Sequence, residues 1–318
     1  MTKLNNVAGI DISKEFFDVC RISKGVREEK IFSNDAPGIN QALAWLNKED
    51  YCVMEVTGAY YMRLATSLYQ AGFKVSVVNP LIIKRFSQMR LMRTKTDKAD
   101  ARMIAEYGLS EPQQQWAPPP SFIRQINQLD GIAEQLQKHY TALANQLEAY
   151  TISGIDKETK QLLVTLIKSV RRKQQEIEKR IQEVITCYHA ELMQRLCTIP
   201  GLGKKTVTML IVITEGFKKF ASYKQLSSYT GLCPRIFKSG SSIKGRGRIC
   251  KMGMGRVRML LYLCAWSAKK YNKACKDLYE RLVEQGKSKR LALIAVANKL
   301  IKQAFAIAQS GLTYNPNY

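Results

Sequence analysis

Hydrophobic and polar positions along the first third of the chain follow the pattern of short strands. Apolar runs end at Asp11, cover Phe16 to Ile22 and recur near Lys30 to Phe32, with a turn at residues 23–25. Short apolar runs rich in β-branched and aromatic residues and bounded by turn residues are typical of strands. Residues 5–34 are therefore predicted to form a three-stranded meander.

The pattern then changes to alternating helices and strands. A helix is predicted after Pro37-Gly38 and another before Gly72, while strands are predicted at Tyr51 to Val56 and at Lys74 to Val78. Three antiparallel strands followed by this alternation are the order of an RNase H-like (RuvC-like) α/β fold. In that fold the first and fourth strands lie side by side.

A seven-residue apolar repeat begins beyond the prolines at positions 112 and 118–120. Its positions are Phe122, Leu129, Leu136, Leu143 and Tyr150 and, after a break at Ser153-Gly154, Leu163, Val170, Ile177 and Val184. Heptads predict two long helices that form an antiparallel hairpin or an intermolecular coiled coil. The sequence leaves both alternatives open.

The last third of the chain is predicted to be mainly helical, with apolar segments at Val207 to Thr214 and Met259 to Tyr271. The predicted fold class is α/β followed by α. We predict three domains: a RuvC-like domain over 1–112, a helical coiled-coil connector over 113–192 and a helical domain over 193–318.

The charge of the chain indicates a polyanionic partner. The formal net charge is +24, and 18 basic but only 3 acidic residues lie between Arg235 and Lys302. A local surplus of this size is typical of nucleic-acid interfaces, where phosphate neutralisation releases counterions. An acidic membrane surface is the weaker alternative.

Composition also excludes several classes of protein. The longest apolar runs are far shorter than the roughly 20 residues of a membrane span, and no signal peptide is visible, so a cytoplasmic location is expected. Eight cysteines include no C-x-x-C pair and, lying mostly among apolar neighbours, are expected to be small core residues. The two histidines, His139 and His189, are expected to be exposed. A Cys/His zinc site and Ser-His-Asp catalysis are therefore disfavoured.

Four acidic residues in the first hundred positions are the candidate catalytic centre. Asp11 and Glu55 each close an apolar run, and Asp97 and Asp100 share one face at the start of a predicted helix. Carboxylates at strand ends and an i,i+3 pair can converge on one point, where oxygen ligands suit Mg²⁺. In a basic protein that binds a polyanion, such a cluster indicates a nuclease-like or recombinase-like centre.

Two glycine-containing segments of the last third are candidate phosphate contacts. Pro200-Gly201-Leu202-Gly203 precedes a helix and resembles a helix-hairpin-helix turn, although a tight inter-helix turn is the rival interpretation. Residues 238–248 form a glycine- and serine-rich loop among cations that would stabilise an alkoxide or a phosphorane-like state. The candidate nucleic-acid-binding residues are Lys204, Lys205, Arg235, Lys238, Lys244, Arg246 and Arg248.

Taken in order, the motifs of the chain resemble those of the DEDD transposases of bridge-RNA-guided insertion sequences. The same superfamily contains the Piv-type pilin-gene DNA invertases. The resemblance covers essentially the whole chain. The motifs that carry it are Gly9-Ile10-Asp11, Glu55-x-Thr57-Gly58, Lys95-Thr96-Asp97-x-x-Asp100, Ile199-Pro200-Gly201-Leu202-Gly203, Gly231-Leu232-x-Pro234 and Ser239-Gly240.

The resemblance implies a specific chemistry for these residues. Asp11, Glu55, Asp97 and Asp100 would hold Mg²⁺, and Ser239 would attack a DNA phosphodiester and form a transient phosphoserine link, with Ser241 and Ser242 only as neighbours. Family members act as dimers that pair into tetramers, with active sites that can combine the acidic domain of one subunit with the serine domain of another. A structured bridge RNA would select donor and target DNA by base pairing.

Three alternatives to an RNA-guided transposase stay open at this point. The first is a site-specific invertase with the same chemistry, which genomic context would separate from a transposase. The second is a RuvC-like nuclease that hydrolyses DNA with water, and the third is a non-catalytic nucleic-acid-binding protein. The third explains the cations but not the four acids.

Overall fold

The structure is a computed structural model that describes residues 4–56, 58–91, 96–235, 238–239, 243–244 and 248–316, with the backbone alone at 238–239 and 243–244. The chain forms two compact units, Met1–Pro119 and Pro120–Tyr318. The three-domain division of the sequence remains a prediction.

The described residues of the first unit form a five-stranded sheet and four helices. The strands are β1 (Asn6–Ile12), β2 (Phe16–Ser23), β3 (Val26–Ser33), β4 (Tyr51–Glu55) and β5 (Lys74–Val78). The helices are α1 (Ala36–Trp45), α2 (Tyr61–Gln70), α3 (Pro80–Met89) and α4 (Asp97–Ser110).

The sheet is mixed and has the order β3-β2-β1-β4-β5. The first three strands pair antiparallel as predicted, and β1 and β4 lie side by side as predicted, with parallel pairing. The registers pair Asp11 of β1 with Asp18 of β2, and Ile10 of β1 with Met54 of β4. The ends of β1 and β4 therefore lie at the same edge of the sheet.

Both faces of this sheet are buried, because alternate residues of each strand pack against different helices. Ala8, Ile10 and Ile12 pack in one core with apolar residues of α1 and α2. Val7 and Val53 pack in a second core with residues of α3 and α4. Asp11 follows the alternation of Val7, so its side chain belongs to the face that α4 covers.

The second unit is mainly helical. Its helices are α5 (Ser121–Ser153), α6 (Lys157–Cys197), α7 (Lys204–Thr214), α8 (Tyr223–Thr230), α9 (Gly255–Tyr271), α10 (Lys273–Glu284) and α11 (Lys289–Ser310). Among the described residues between α8 and α9 there are four two-residue strands: β6 (Pro234–Arg235), β7 (Lys238–Ser239), β8 (Ile243–Lys244) and β9 (Arg248–Ile249).

The long helices α5 and α6 pack against each other within the chain, which is the hairpin that the heptads allowed. Gly154, with φ 92°, and the N-cap Asp156 join them. One polar contact crosses the hairpin, where buried Gln174 donates its Nε2 to Gln137 Oε1 at 2.9 Å. At one end Ile126 and Ile185 are fully buried in a core that also contains α7, α9 and α11.

Helix α11 is the one described helix that is long and apolar enough to cross a membrane by length and composition. In the structure it is a central core helix, with eight buried residues that include Leu293, Val296 and Leu300. Core helices of globular proteins pass the same test of length and composition as membrane spans. The burial of α11 therefore accounts for its hydropathy.

The cysteines and histidines only partly follow their predicted environments. Cys20, Cys52, Cys264 and Cys275 are buried as expected, whereas Cys187 is exposed. His139 is exposed, but the exposed position predicted for His189 is wrong. His189 lies at a kink in α6, with φ −141° and ψ 38°, and its ring centroid is 5.5 Å from that of Phe122. Partial burial, followed by the charge of Lys218, lowers its pKa.

Candidate active site

The position of α4 against the sheet depends on two glycines. A Cβ at Gly9 would lie 2.2 Å from the backbone N of Ala105 and 2.4 Å from the carbonyl of Ala101. On α4 itself, a Cβ at Gly108 would lie 2.7 Å from Val7. Glycine allows backbones to approach this closely. Gly9 is therefore needed two residues before Asp11 so that α4 can lie directly on β1.

Asp11 and Glu55 are neighbours at the edge where β1 and β4 end. The parallel register pairs Ile10 with Met54, and Asp11 and Glu55 come next along the two strands. Both follow the alternation of Val7 and Val53, which face α4. The side chains of Asp11 and Glu55 are each partly buried. The structure thus brings together the two strand-end acids that the sequence predicted.

Asp97 and Asp100 lie in the first turn of α4. Thr96 caps this helix, and its Oγ1 accepts a hydrogen bond from the Ala99 N–H at 3.2 Å. Negative side chains are favourable at a helix N-terminus, where the backbone N–H groups carry partial positive charge. The N-terminus of α4 therefore stabilises the carboxylates of Asp97 and Asp100, whose charges act on Asp11.

The charges of the other three acids act on the Asp11 carboxyl. The pKa of Asp11 is raised from 3.8 to about 6, first by burial and then by the charges of Asp100, Asp97 and Glu55. A carboxyl that is desolvated and surrounded by like charges holds its proton more tightly. A bound cation would relieve this repulsion between the carboxylates.

The donor chemistry of the cluster suits a hard divalent cation, because all four residues offer carboxylate oxygens. Among the described residues, however, no group of three or more His, Cys, Asp or Glu side chains is arranged to hold a metal ion. The residue types and their charges thus fit Mg²⁺, whereas the arrangement of the described side chains does not by itself form a complete ligand set.

The structure places at this site a fifth carboxylate that was not among the residues predicted from the sequence. Asp18 is paired directly with Asp11 across β1 and β2, so the two side chains project from the same face. Burial and then the charge of Asp97 raise its pKa. The hairpin register, which pairs Ile12 with Phe17 around the turn, was the pattern that could have identified it.

Cations flank the acidic cluster on the side of β2 and β3. A cavity of 340 Å³ beside Asp18 is lined by residues that include Glu29, Lys30 and Lys98. Arg102 of α4 reaches Glu29 of β3 with Nη2–Oε2 at 2.8 Å. This ion pair lowers the pKa of Glu29 and fastens α4 to the outer strand of the sheet.

The serine-containing loop belongs to the second unit and consists of two short antiparallel ladders. Pro234 pairs with Ile249 and Arg235 with Arg248, while further out Ser239 pairs with Ile243. Ser239 is thus the last residue of β7. Residues 240–242, which contain Ser241 and Ser242, and residue Arg246 lie outside the described part of the chain.

The base of the serine loop is fixed by backbone contacts. The Cys250 N–H donates to the carbonyl of Cys233 at 2.9 Å, and Arg258 Nη1 donates to the carbonyl of Thr230 at 2.8 Å. Gly231 has φ 72°, and a Cβ there would lie 2.4 Å from the carbonyl oxygen of Met252. The loop therefore leaves the helical core from a defined position.

Two family models match segments of the chain, one containing the four acids and the other the serine loop. Residues 8–151 match the IS110-type DEDD transposase model, described as "Transposase", and residues 193–280 match the model of the transposase IS116/IS110/IS902 family. The pilin gene-inverting protein of Moraxella lacunata is 32% identical over 96% of this chain and 97% of its own. The chain belongs to the IS110 family of transposases and DNA invertases.

More distant relatives of this IS110-family protein are transposases. The transposase of insertion sequence element IS1328 from Yersinia enterocolitica is 26% identical over 96% of this chain and 98% of its own. That of IS1111A from Coxiella burnetii is 23% identical over 97% of this chain and 91% of its own. The family consists of DNA recombination enzymes, so the protein is a recombination enzyme that acts on DNA.

The predicted phosphate-binding lysines of this IS110-family protein occupy the start of α7. Lys204 is exposed, whereas Lys205 already pairs with Glu178 of α6, with Nζ–Oε1 at 2.9 Å. The preceding glycine motif also serves packing, because a Cβ at Gly201 would lie 2.7 Å from Ala268 of α9. This packing is the tight inter-helix turn that the sequence left as the rival interpretation.

The remaining predicted cations lie on the serine loop. Arg235 and Arg248 are exposed and face each other in the β6–β9 ladder. The backbones of Lys238 and Lys244 are paired in the β7–β8 ladder. The ladders therefore place two pairs of basic residues along the stem of the loop.

Proposed function

We propose that this protein is the transposase of an insertion sequence and that it cuts and rejoins DNA through Ser239. The first unit would act as an RNase H-like (RuvC-like) domain. The observation that carries the proposal is the convergence of Asp11, Glu55, Asp97 and Asp100, together with family matches that include both this cluster and the serine loop.

The acidic half of the site would hold Mg²⁺ through Asp11, Glu55, Asp97 and Asp100. When bound there, Mg²⁺ supplies Lewis-acid stabilisation of charge on phosphate oxygens. Convergence of the four charges supports this assignment, because the repulsion that raises the Asp11 pKa disappears when a cation is shared. Gly9 and the cap at Thr96 position these ligands.

The serine half of the site would carry the covalent chemistry. As the Oγ of Ser239 bonds to phosphorus, the hydroxyl loses its proton, the bond to the sugar oxygen breaks and that oxygen takes up a proton. The phosphoserine link conserves the energy of the phosphodiester, so a second sugar hydroxyl can displace the serine and join the exchanged strands. Neighbouring cations at positions 235, 238, 244, 246 and 248 would stabilise the phosphate charge.

The nucleic-acid partners follow from the same proposal. Donor and target DNA would be selected by an element-encoded bridge RNA, and the net charge of +24 would serve both kinds of backbone. Dimers would assemble into tetramers in which one subunit supplies the acids and another the serine. The resemblance to bridge-RNA-guided transposases supports these assignments.

A Piv-type DNA invertase is the second candidate function. It is favoured by one specific observation, since the relatives at 32% identity over nearly the full length are pilin gene-inverting proteins of two Moraxella species. The two functions can be separated with two plasmids, each tested with this protein. One plasmid carries an invertible segment and the other a mobilisable element. A RuvC-like nuclease would instead leave broken ends in both.

The test of the proposal is to trap the protein on DNA and locate the linkage by mass spectrometry. We expect a phosphoserine adduct at Ser239 that is lost in Ser239→Ala and in Asp97→Asn. Ser241→Ala and Ser242→Ala are matched controls in the same loop and should keep the adduct. DNA cleavage that persists in Ser239→Ala, without any protein–DNA link, would instead support hydrolysis by water.

A further inference from the structure

A basic cleft lies at the base of the serine loop, outside the residues assigned above to DNA. Its volume is 350 Å³, and it lies among α8, α10, α11 and the start of β6. Its lining includes Tyr223, Lys224, Pro234, Asn298, Lys299 and Lys302. We call these residues and the space between them the basic cleft.

The floor of the basic cleft is a connected hydrogen-bond network. Ser227 Oγ of α8 donates to Asn298 Oδ1 of α11 at 2.5 Å, and Asn298 Nδ2 donates to the carbonyl of Leu232 at 2.9 Å. One asparagine thus ties α8, α11 and the segment that leads into the serine loop. The walls of the cleft are therefore held together, and its cations project from a preorganised surface.

The lysines of the basic cleft form no ion pair among the described residues. Helices α8 and α11 contain no Asp or Glu, and of the α10 acids, Asp277, Glu280 and Glu284, Glu280 pairs with Lys276 of its own helix. No described carboxylate forms an ion pair with Lys224, Lys299 or Lys302, and the ammonium of Lys302 lies over the Tyr223 ring at 5.5 Å from its centroid. By contrast, Lys205 and Lys276 are paired with glutamates. Lys224, Lys299 and Lys302 thus line the basic cleft without a described ion pair.

The size and position of the basic cleft favour a nucleic-acid strand over a small anion as its ligand. Three lysines line a volume of 350 Å³, much larger than one phosphate. One wall includes Pro234, the first residue of β6, and the next residue is Arg235, which is paired with Arg248. Pro234 and Arg235 therefore connect the cleft directly to the stem of the loop that carries Ser239.

We propose that the basic cleft binds the sugar-phosphate backbone of the DNA strand that the serine loop engages. Lys224, Lys299 and Lys302 would contact phosphates outside the reacting one and fix the position of the strand relative to the loop. The inference rests on the proposed function insofar as that function makes DNA the substrate of the loop. It extends the function by a binding site in the helical core.

The test measures DNA binding by fluorescence anisotropy as a function of salt, using the full chain and labelled duplex and single-stranded DNA. The triple variant Lys224→Gln, Lys299→Gln and Lys302→Gln should bind more weakly. Its plot of log affinity against log salt should be shallower by about 2–3, since each phosphate contact contributes roughly 0.7–0.9 to the slope. Replacement of the same three residues by Arg should retain the wild-type slope.

A matched control changes the same net charge in the same unit. Lys138, Lys173 and Lys276 each pair with a glutamate in the structure, at 3.2, 2.8 and 3.9 Å. The triple Gln variant at these positions should keep the wild-type slope. A cleft variant that is folded by circular dichroism and has the wild-type slope overturns the proposal, as does a loss of binding confined to RNA oligonucleotides.

The outcome is separable from that of the serine mechanism. Ser239→Ala should lose the covalent adduct but keep the full salt slope, because it removes no phosphate contact of the basic cleft. If wild-type protein forms no adduct while the cleft variant still has a reduced slope, the serine mechanism fails and the cleft stands. If the adduct forms normally and the cleft variant keeps its slope, the cleft fails alone.

Discussion

At the scale of single residues, the Asp11 carboxyl lies where burial and neighbouring carboxylates disfavour its negative charge. Burial and then the charges of Asp100, Asp97 and Glu55 raise its pKa from 3.8 to about 6. Because the native state binds this proton more tightly than the unfolded chain, the folded state is favoured at low pH. That contribution is lost as the pH rises through about 6.

This linkage predicts that Asp11→Asn stabilises the metal-free protein at neutral pH. A shift of two pKa units corresponds to about 2.7 kcal/mol. We expect about half of that, because the carboxyl keeps partial contact with water. The gain should vanish near the unfolded pKa of 3.8. Urea unfolding of wild type and variant across this pH range measures it, and equal differences at both ends would contradict the electrostatic explanation.

The same repulsion predicts that Mg²⁺ stabilises the wild-type protein more than the variant. A ligand at 100 times its dissociation constant raises the free energy of unfolding by about 2.7 kcal/mol. Thermal unfolding with increasing Mg²⁺ should raise the wild-type Tm and leave that of Asp11→Asn nearly unchanged. Equal shifts in the two proteins would place the bound metal away from Asp11.

At the scale of elements, the docking of α4 onto β1 determines whether the acids meet. Gly9→Ala would place a Cβ 2.2 Å from the backbone N of Ala105, so the helix must move away from the strand. We expect a loss of at least about 2 kcal/mol of stability and of the covalent adduct. The control is Gly131→Ala at an exposed position of α5, where a Cβ meets no atom outside the helix's own backbone within 4 Å, and a gain of up to about 1 kcal/mol is expected.

Strand order could be predicted from alternation and turns, since β1 to β3 read as a meander and β4 and β5 follow helices. The site was predictable as far as it depends on strand ends and on the i,i+3 spacing of Asp97 and Asp100. Asp18 was missed because its place depends on hairpin register, which apolar runs alone do not determine. The packing role of Gly9 was missed because it depends on the approach of a helix distant in sequence.

The base of the serine loop gives a second prediction at this scale. The β6–β9 register places Cys233 opposite Cys250, and their backbones share a hydrogen bond of 2.9 Å. Hydrogen peroxide should therefore convert the two thiols to a disulfide, with two water molecules as the reduced product. Peptide mapping should find this pair linked ahead of either residue with exposed Cys187. Cross-linking of Cys233 to any other cysteine would contradict the register.

At the scale of the whole molecule, the acids and the serine loop belong to different compact units. Each half of the proposed chemistry would thus belong to a separately packed unit, and the acids of one chain need not act with the serine of the same chain. The proposed composite active site makes this separation functional. A complementation test can therefore determine whether one subunit supplies the acids and another the serine.

Complementation should restore activity in a mixture of two inactive variants. Asp97→Asn keeps the serine and Ser239→Ala keeps the acids, so a mixed dimer contains one site with both functional halves. Random mixing makes half of the dimers mixed, and about a quarter of the sites should become active. Adduct formation on co-refolded protein measures this, with each variant alone as control. An adduct level equal to that of the separate variants would show that acids and serine act within one chain.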